Sequence, residues 1–256
     1  MRGRTLLIAG LLTAAFAGQA AAQTLGTITG SPHDLSASGV LNNEICVYCH
    51  TPHGTTNDDG PLWNRLATVG PFVAYDSSTL DGSILGKSGA NFDPGEVSMA
   101  CLSCHDGTQA LDAVINSPGR GLGTPLAGAA MTAGIAVVGP DLSNDHPISI
   151  QYGGYDSGSG VIDEDFVDNS TVTATTGLNT ATINGTPAWW VNTSVGGTVG
   201  RDKEDMILYT AGAEPYVECA TCHDPHSGNV ADPLVEVNFL RMTNAGSAIC
   251  LACHVK

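Results

Sequence analysis

The sequence predicts a chain that is mostly coil, with short helices at a four-times-repeated Cys-x-x-Cys-His motif, a minor β component and a core built from prosthetic groups. Three observations predict it. The motif stands at 46–50, 101–105, 219–223 and 250–254 and uses all 8 cysteines of the 256 residues. Aromatic residues are scarce at 5% and glycines number 32, so side chains alone make a thin apolar core. The stretches between motifs are rich in Gly, Ser, Thr and Asn and carry little hydrophobic periodicity.

The motif has a chemical reading. Two thiols one helical turn apart lie on one face of the chain and can add to the two vinyl groups of one porphyrin. The histidine after the second Cys then reaches the iron as the proximal ligand. This is the attachment signature of c-type haem. The chain is therefore expected to be a multihaem cytochrome c carrying four haem c groups, anchored by Cys46 and Cys49, Cys101 and Cys104, Cys219 and Cys222, and Cys250 and Cys253. The proximal ligands are His50, His105, His223 and His254. Zinc sites of four thiolates need CxxC pairs that come together across about 15–20 residues and need no histidine after each. A disulfide framework predicts scattered spacings in a short chain. A thioredoxin-like site needs a single CxxC.

Four histidines remain out of 8: His33, His53, His146 and His226. Four irons with two axial imidazoles each need that number, so these are the expected distal ligands. Met99, Met131, Met206 and Met242 are the competing axial donors and would raise the potential. Met99, just before the second motif, reads more simply as packing. His53 and His226 follow proximal histidines by three residues in the two His-x-Pro-His sequences (50–53 and 223–226). Side chains this close on one segment cannot reach opposite faces of one porphyrin, so each is expected to serve a neighbouring haem. The proline stiffens the segment.

Ligand order repeats along the chain. A lone His, CxxCHxPH and CxxCH occur twice, through His33, His53 and His105, then through His146, His226 and His254. This predicts a first dihaem module over 23–139 and a second over 140–256, with a Gly/Ser/Thr-rich β-like insert near 151–200 and a Gly-rich join over 119–139. Helices are expected near 43–51, 97–114, 216–223 and 245–254. Pro94 and Gly95 act as breakers before the second. Residues 161–172 and 180–195 carry β-favouring side chains, and Asn184-Gly185 is a hairpin signal. Trp189-Trp190 reads as a packing anchor, or as one packed and one exposed ring available to an interface. Sequons at Asn169, Asn184 and Asn192 and the acidic run 156–168 read as solvated surface, since the run lacks the ordered calcium-loop pattern.

Residues 1–22 read as a secretory signal, with Arg2 and Arg4, an apolar stretch over 6–17 and Ala20-Ala21-Ala22. That stretch is short for a membrane span, and no other stable span is evident. The expected location is secreted, at the cell surface or beyond. With 25 acidic against 9 basic residues and a formal charge of −16, a nucleic-acid partner is excluded for want of a basic face. The acidity serves solubility. Bis-His irons leave no open position for a substrate, so the expected role is electron transfer to redox partner proteins or extracellular metal acceptors, and not turnover.

The stretches Ser31-Pro32-His33-Asp34-Leu35-Ser36, ICVYCHTPHG over 45–54, CLSCHDGT over 101–108 and Asn144-Asp145-His146-Pro147 resemble secreted multihaem cytochromes of metal-reducing bacteria. Four motifs in this length are most similar to the OmcE-type extracellular tetrahaem cytochromes. The resemblance implies self-association into a helical, electron-conducting filament in which one axial histidine comes from the adjacent subunit. His33, near the start of the mature chain, is the candidate for that crossing. A head-to-tail contact of this kind does not close and so makes a filament.

Overall fold

The computed structural model describes residues 28–255 apart from 39–40, 42–43, 56–58, 67, 69, 81, 90, 119–127, 156–158, 169–176, 194–199 and 228–237. The signal segment at 1–22, Asn169 and much of the Gly-rich join lie outside the described residues.

The expectation of a mostly coil chain with minor β structure is overturned. The largest ordered element is a five-stranded antiparallel sheet, and the helices are few and short. Strands β3 (Ile150–Gln151), β4 (Gly177–Ile183), β5 (Thr186–Asn192), β6 (Met206–Ala211) and β7 (Glu214–Val217) lie in the order β3-β7-β6-β5-β4. A second sheet pairs β1 (Lys87–Ser88) with β2 (Asn91–Phe92). The physical reason is cross-strand packing at distances no local window shows. Trp189 and Val191 share one face of β5, and their partners on β6 are Leu208 and Met206. Leu178 on β4 stands opposite Val191. These residues and Tyr152 make the principal core cluster, with Val191 and Met206 fully buried. Burying each such side chain is worth roughly 1.5–3 kcal/mol, enough to order a sheet in a glycine-rich chain.

The turns follow from backbone chemistry. Asn184 and Gly185 adopt φ of 52° and 84° between β4 and β5, the two left-handed residues of the two-residue hairpin. Gly212, φ 67°, opens the β6–β7 turn. Of the stretch 161–172, residues 161–168 form turns and isolated bridges instead of a strand, one of them pairing Phe166 with His254. Both Trp189 and Trp190 are buried, so neither ring is offered to a partner.

Helix α1 (Glu96–His105) starts after Gly95 and ends well short of residue 114, because Gly107 turns into the left-handed region at φ 74° and Asp106 accepts hydrogen bonds from the Thr108 N–H and hydroxyl. Its Leu102 packs with Phe72, Ala74, Phe92 and Leu142, and Met99 lies against the same cluster. Helices α2 (Cys219–Cys222) and α3 (Ala248–Leu251) are single turns. Cys222, Ile249, Ala252 and Cys253 pack on the large sheet's core cluster, so the sheet is the platform for the last two motifs. Among the described residues no helix is long and apolar enough to cross a membrane.

Candidate haem sites

Each motif closes a helical turn. The backbone N–H of His50, His223 and His254 donates to the carbonyl of the first cysteine, Cys46, Cys219 and Cys250, at 2.8, 3.1 and 2.9 Å. The second motif forms the C-terminal half of α1. All eight cysteines are thiols, with Cys46 and Cys250 exposed. Burial pushes Cys49 and Cys222 up to about 11 and Cys253 up to about 12, so before attachment these thiols are protonated at neutral pH.

The proximal imidazoles are oriented by backbone. His50 donates from Nδ1 to the Pro61 carbonyl at 2.7 Å, His105 to Ala136 at 2.7 Å and His223 to Asn238 at 2.6 Å. Engaging Nδ1 leaves Nε2 as the ligating nitrogen and fixes the ring, the usual arrangement around a metal-bound histidine. Of the other four, His33 uses Nδ1 on the Pro225 carbonyl at 3.3 Å and His146 on Pro147 at 2.9 Å. His226 sets Nδ1 3.4 Å from Asp224 Oδ1.

Around the first and third motifs one skeleton occurs twice. Thr51 N–H donates to Leu62, and Asn64 N–H to Cys49; correspondingly Asp224 N–H donates to Phe239, and Arg241 N–H to Cys222. Asn64 Nδ2 holds the Val47 carbonyl, as Arg241 Nε holds Ala220. Leu62 and Phe239 both sit at positive φ, 53° and 52°.

Three pairs of imidazoles lie at similar spacing across chain-distant segments, the His50 and His226 rings near parallel at 11° and the other two pairs steeply inclined at 69° and 67°. Ring centroids of His50 and His226 are 6.2 Å apart, of His33 and His105 6.1 Å, and of His146 and His254 6.4 Å. Two metal–imidazole bonds of about 2.0 Å in line, plus about 1.1 Å from each nitrogen to its ring centre, separate an axial pair by about 6.3 Å. The spacing fits one iron between each pair. Each pair joins a motif histidine to one of the remaining four, and His226 faces His50 rather than its sequence neighbour His223. Among the described residues no imidazole stands opposite His223 or His53 at this spacing, and both are exposed. No group of three or more His, Cys, Asp or Glu side chains gathers into a metal site among the described residues. Two imidazoles and a porphyrin's four nitrogens require none.

The thiols order the sites. Cys104 lies near enough to Cys49 to oppose its ionisation. Helix α1, which carries Cys101, packs on α2, which begins at Cys219. Cys222 neighbours both Cys250 and Cys253. The second motif's helix thus packs on the third's, and the turn after the third motif also reaches the first through His226.

Several residues that shape these sites escape motif reading. Arg65, 1% exposed, fastens α1 to the first strap by donating to Ser103 Oγ and to the carbonyls of Ser103, Ala110 and Leu111. Phe239 stacks on His33 at 4.1 Å. Trp63 packs edge-on against His50, and its buried Nε1 has no hydrogen-bond acceptor among the described residues; a carboxylate-bearing cofactor would supply one. Glu218 caps α2.

Residues 214–256, which hold the third and fourth motifs, match the family described as Doubled CXXCH motif. The paired motif marks a multihaem c-type cytochrome-like protein and implies covalent binding of haem c. No curated protein matches the chain.

Proposed function

We propose that the chain is a secreted tetrahaem c-type cytochrome of the OmcE type that transfers electrons and polymerises into an extracellular conducting filament. The observation that carries this is the histidine arithmetic in space. Three imidazole pairs lie at a spacing that suits an axial pair within one chain: His50 with His226, His105 with His33, and His254 with His146. His223 and His53 remain, one proximal and one distal, both at the surface. His53 of a neighbouring copy completing the His223 site balances every ligand and links copies head to tail. The His33 ring lies 6.1 Å from that of His105, which supports His53 over His33 as the crossing histidine. The repeated skeleton supports this reading. His226 projects from its turn onto the His50 site, and His53 occupies the same place in the equivalent turn.

Haem c supplies the one-electron couple when bound. The chain's part is to fix the imidazoles through Nδ1, to occupy both axial positions so that no substrate reaches the metal, and to keep the attachment sites near one another. Two dihaem modules, 23–139 and 140–256, follow from the duplicated ligand order. The apolar start at 1–22 supports export. Redox proteins or extracellular metal acceptors are the partners this implies.

A second reading draws on the same His223. With no sixth ligand it would leave one open iron at which a small oxyanion could react, in a discrete particle. The surplus His53 favours the bridge. His53→Ala tests both. On the filament reading, assemblies seen by electron microscopy disappear, each chain keeps four haems, and one becomes high-spin and binds carbon monoxide. Wild-type protein that is monomeric and already binds carbon monoxide would decide for the open site.

A further inference from the structure

Glu218 is a buried carboxylate, 4% exposed, set where the second attachment site meets the third. It precedes Cys219 and caps α2, its N–H donating to Thr221 Oγ1 at 2.9 Å. Its carboxylate accepts the hydroxyls of Ser98, in the first turn of α1, and of Ser149 at 3.1 Å, just before β3. Ser98 Oγ also accepts the Cys219 N–H at 3.1 Å. Ser149 Oγ in turn accepts the Gly95 N–H at 2.8 Å. A Cβ on Gly95 would fall within 2.3 Å of Glu218 Oε1, so the glycine makes room for the acid. Cys101, three residues after Ser98, lies on the same face of α1, and α1 packs on α2, which begins at Cys219. The carboxylate is thus one hydrogen bond from both motif helices, and its charge opposes ionisation of both Cys101 and Cys219.

Capping alone does not explain it. Ser, Thr, Asp or Asn caps a helix without a long buried side chain, and burying a carboxylate is costly unless it is well bonded. The groups that donate to it are the hydroxyls of Ser98 from α1 and Ser149 ahead of β3, and the Thr221 N–H of α2. No cation forms an ion pair with it among the described residues. Burial raises the Glu218 carboxyl above its usual value, and the hydrogen bonds from Ser98 and Ser149 counter that rise and favour the carboxylate; as the carboxylate, its charge acts over several ångströms with little screening, and burial and nearby charge are levers by which a protein sets haem potentials.

We propose that Glu218 is the positioning and potential-setting residue for the electron step between the second and third sites. Its hydroxyl clamp fixes α1 against α2, and its charge holds the potentials of these two inner haems below the values they would otherwise have. One electron passes between neighbouring sites, with no proton or further reactant. The inference rests on the tetrahaem reading above.

The test compares purified wild type with Glu218→Gln, which keeps the shape and an acceptor for Ser98 but removes the charge. Haem per chain is counted first, and a redox titration is then resolved into one-electron steps. The expected result is four haems in both proteins, with two of four reduction equilibria shifted about tenfold toward the reduced form, about 59 mV for one electron, and two unmoved. Four unmoved steps, or four moved together as general loosening would give, overturn the proposal. If Glu218→Gln does not mature, Ser149→Ala, which weakens support of the ionised carboxylate, is expected to shift the same two steps upward by less; no shift overturns it equally. A wild-type count below four refutes the tetrahaem reading itself, a separate failure from unmoved potentials in a four-haem protein.

Discussion

The turn after Cys49 and the turn after Cys222 are built on the same hydrogen-bond skeleton and end differently. In the second, His226 stands 6.2 Å from His50 and has Asp224 beside its Nδ1. In the first, Thr51 occupies the place of Asp224, its hydroxyl bonds the His53 carbonyl, and the His53 ring meets no imidazole among the described residues. The comparison teaches that backbone geometry positions a distal histidine and that the neighbouring module decides whether it is used. One turn is consumed internally and the other is presented outward.

Breaking the internal half has the largest expected effect. His226→Ala removes the ligand facing His50, so one haem becomes high-spin and binds carbon monoxide even in assembled protein. Optical and electron paramagnetic resonance spectra check this. Retained low-spin character at every haem would mean that the His50–His226 pair is not an axial pair.

The straps give the next contrast. Asn64, fully buried, holds the Val47 and Asn116 carbonyls and accepts the Asn116 N–H, whereas half-buried Arg241 holds the Ala220 and Lys203 carbonyls. Asn64→Ala is expected to cost about 3 kcal/mol and Arg241→Ala about 1–2 kcal/mol, read as chemical denaturation of the holoprotein. Equal losses would mean that the straps contribute alike despite their different burial.

The smallest effect is a difference in sign. Leu62 and Phe239 share a left-handed backbone, but Leu62 is 51% exposed and Phe239 is 7% exposed against His33. Leu62→Gly relieves about 1–2 kcal/mol of backbone cost and adds about 0.4–1 kcal/mol of unfolded-state entropy, a net gain of about 0.5 kcal/mol. Phe239→Gly gains the same relief and loses a buried ring, a net loss of about 2–3 kcal/mol. Thermal unfolding distinguishes the two, and a loss at Leu62 would show that its side chain is needed where it stands.

The attachment chemistry was legible because thioether formation confines its residues to one turn, a spacing that five consecutive letters display. The Asn184-Gly185 hairpin was legible for the same local reason. The sheet was not. The run over 206–209 shows no alternation, and its partners Trp189 and Trp190 lie across a segment rich in Gly, Ser and Thr. The partners of His50 and His105 were also out of reach, since composition and spacing say nothing about which distant segment folds over which motif. Glu218 was hidden twice over. It is an uncommon capping residue, and its serines lie 120 and 69 positions away in the chain.

The contact of His33 with Pro225 spans 192 residues, and its stacking on Phe239 spans more. A chain emerges from its N-terminus first, so the first of the pairing histidines to appear is among the last to be seated. Until the final quarter of the polypeptide has arrived, His33 lacks its resting place, and the site at His105 awaits a ligand synthesised long before. High contact order slows folding. On the tetrahaem reading, that order leaves the second motif complete and still uncovered for an interval in which a haem can be attached.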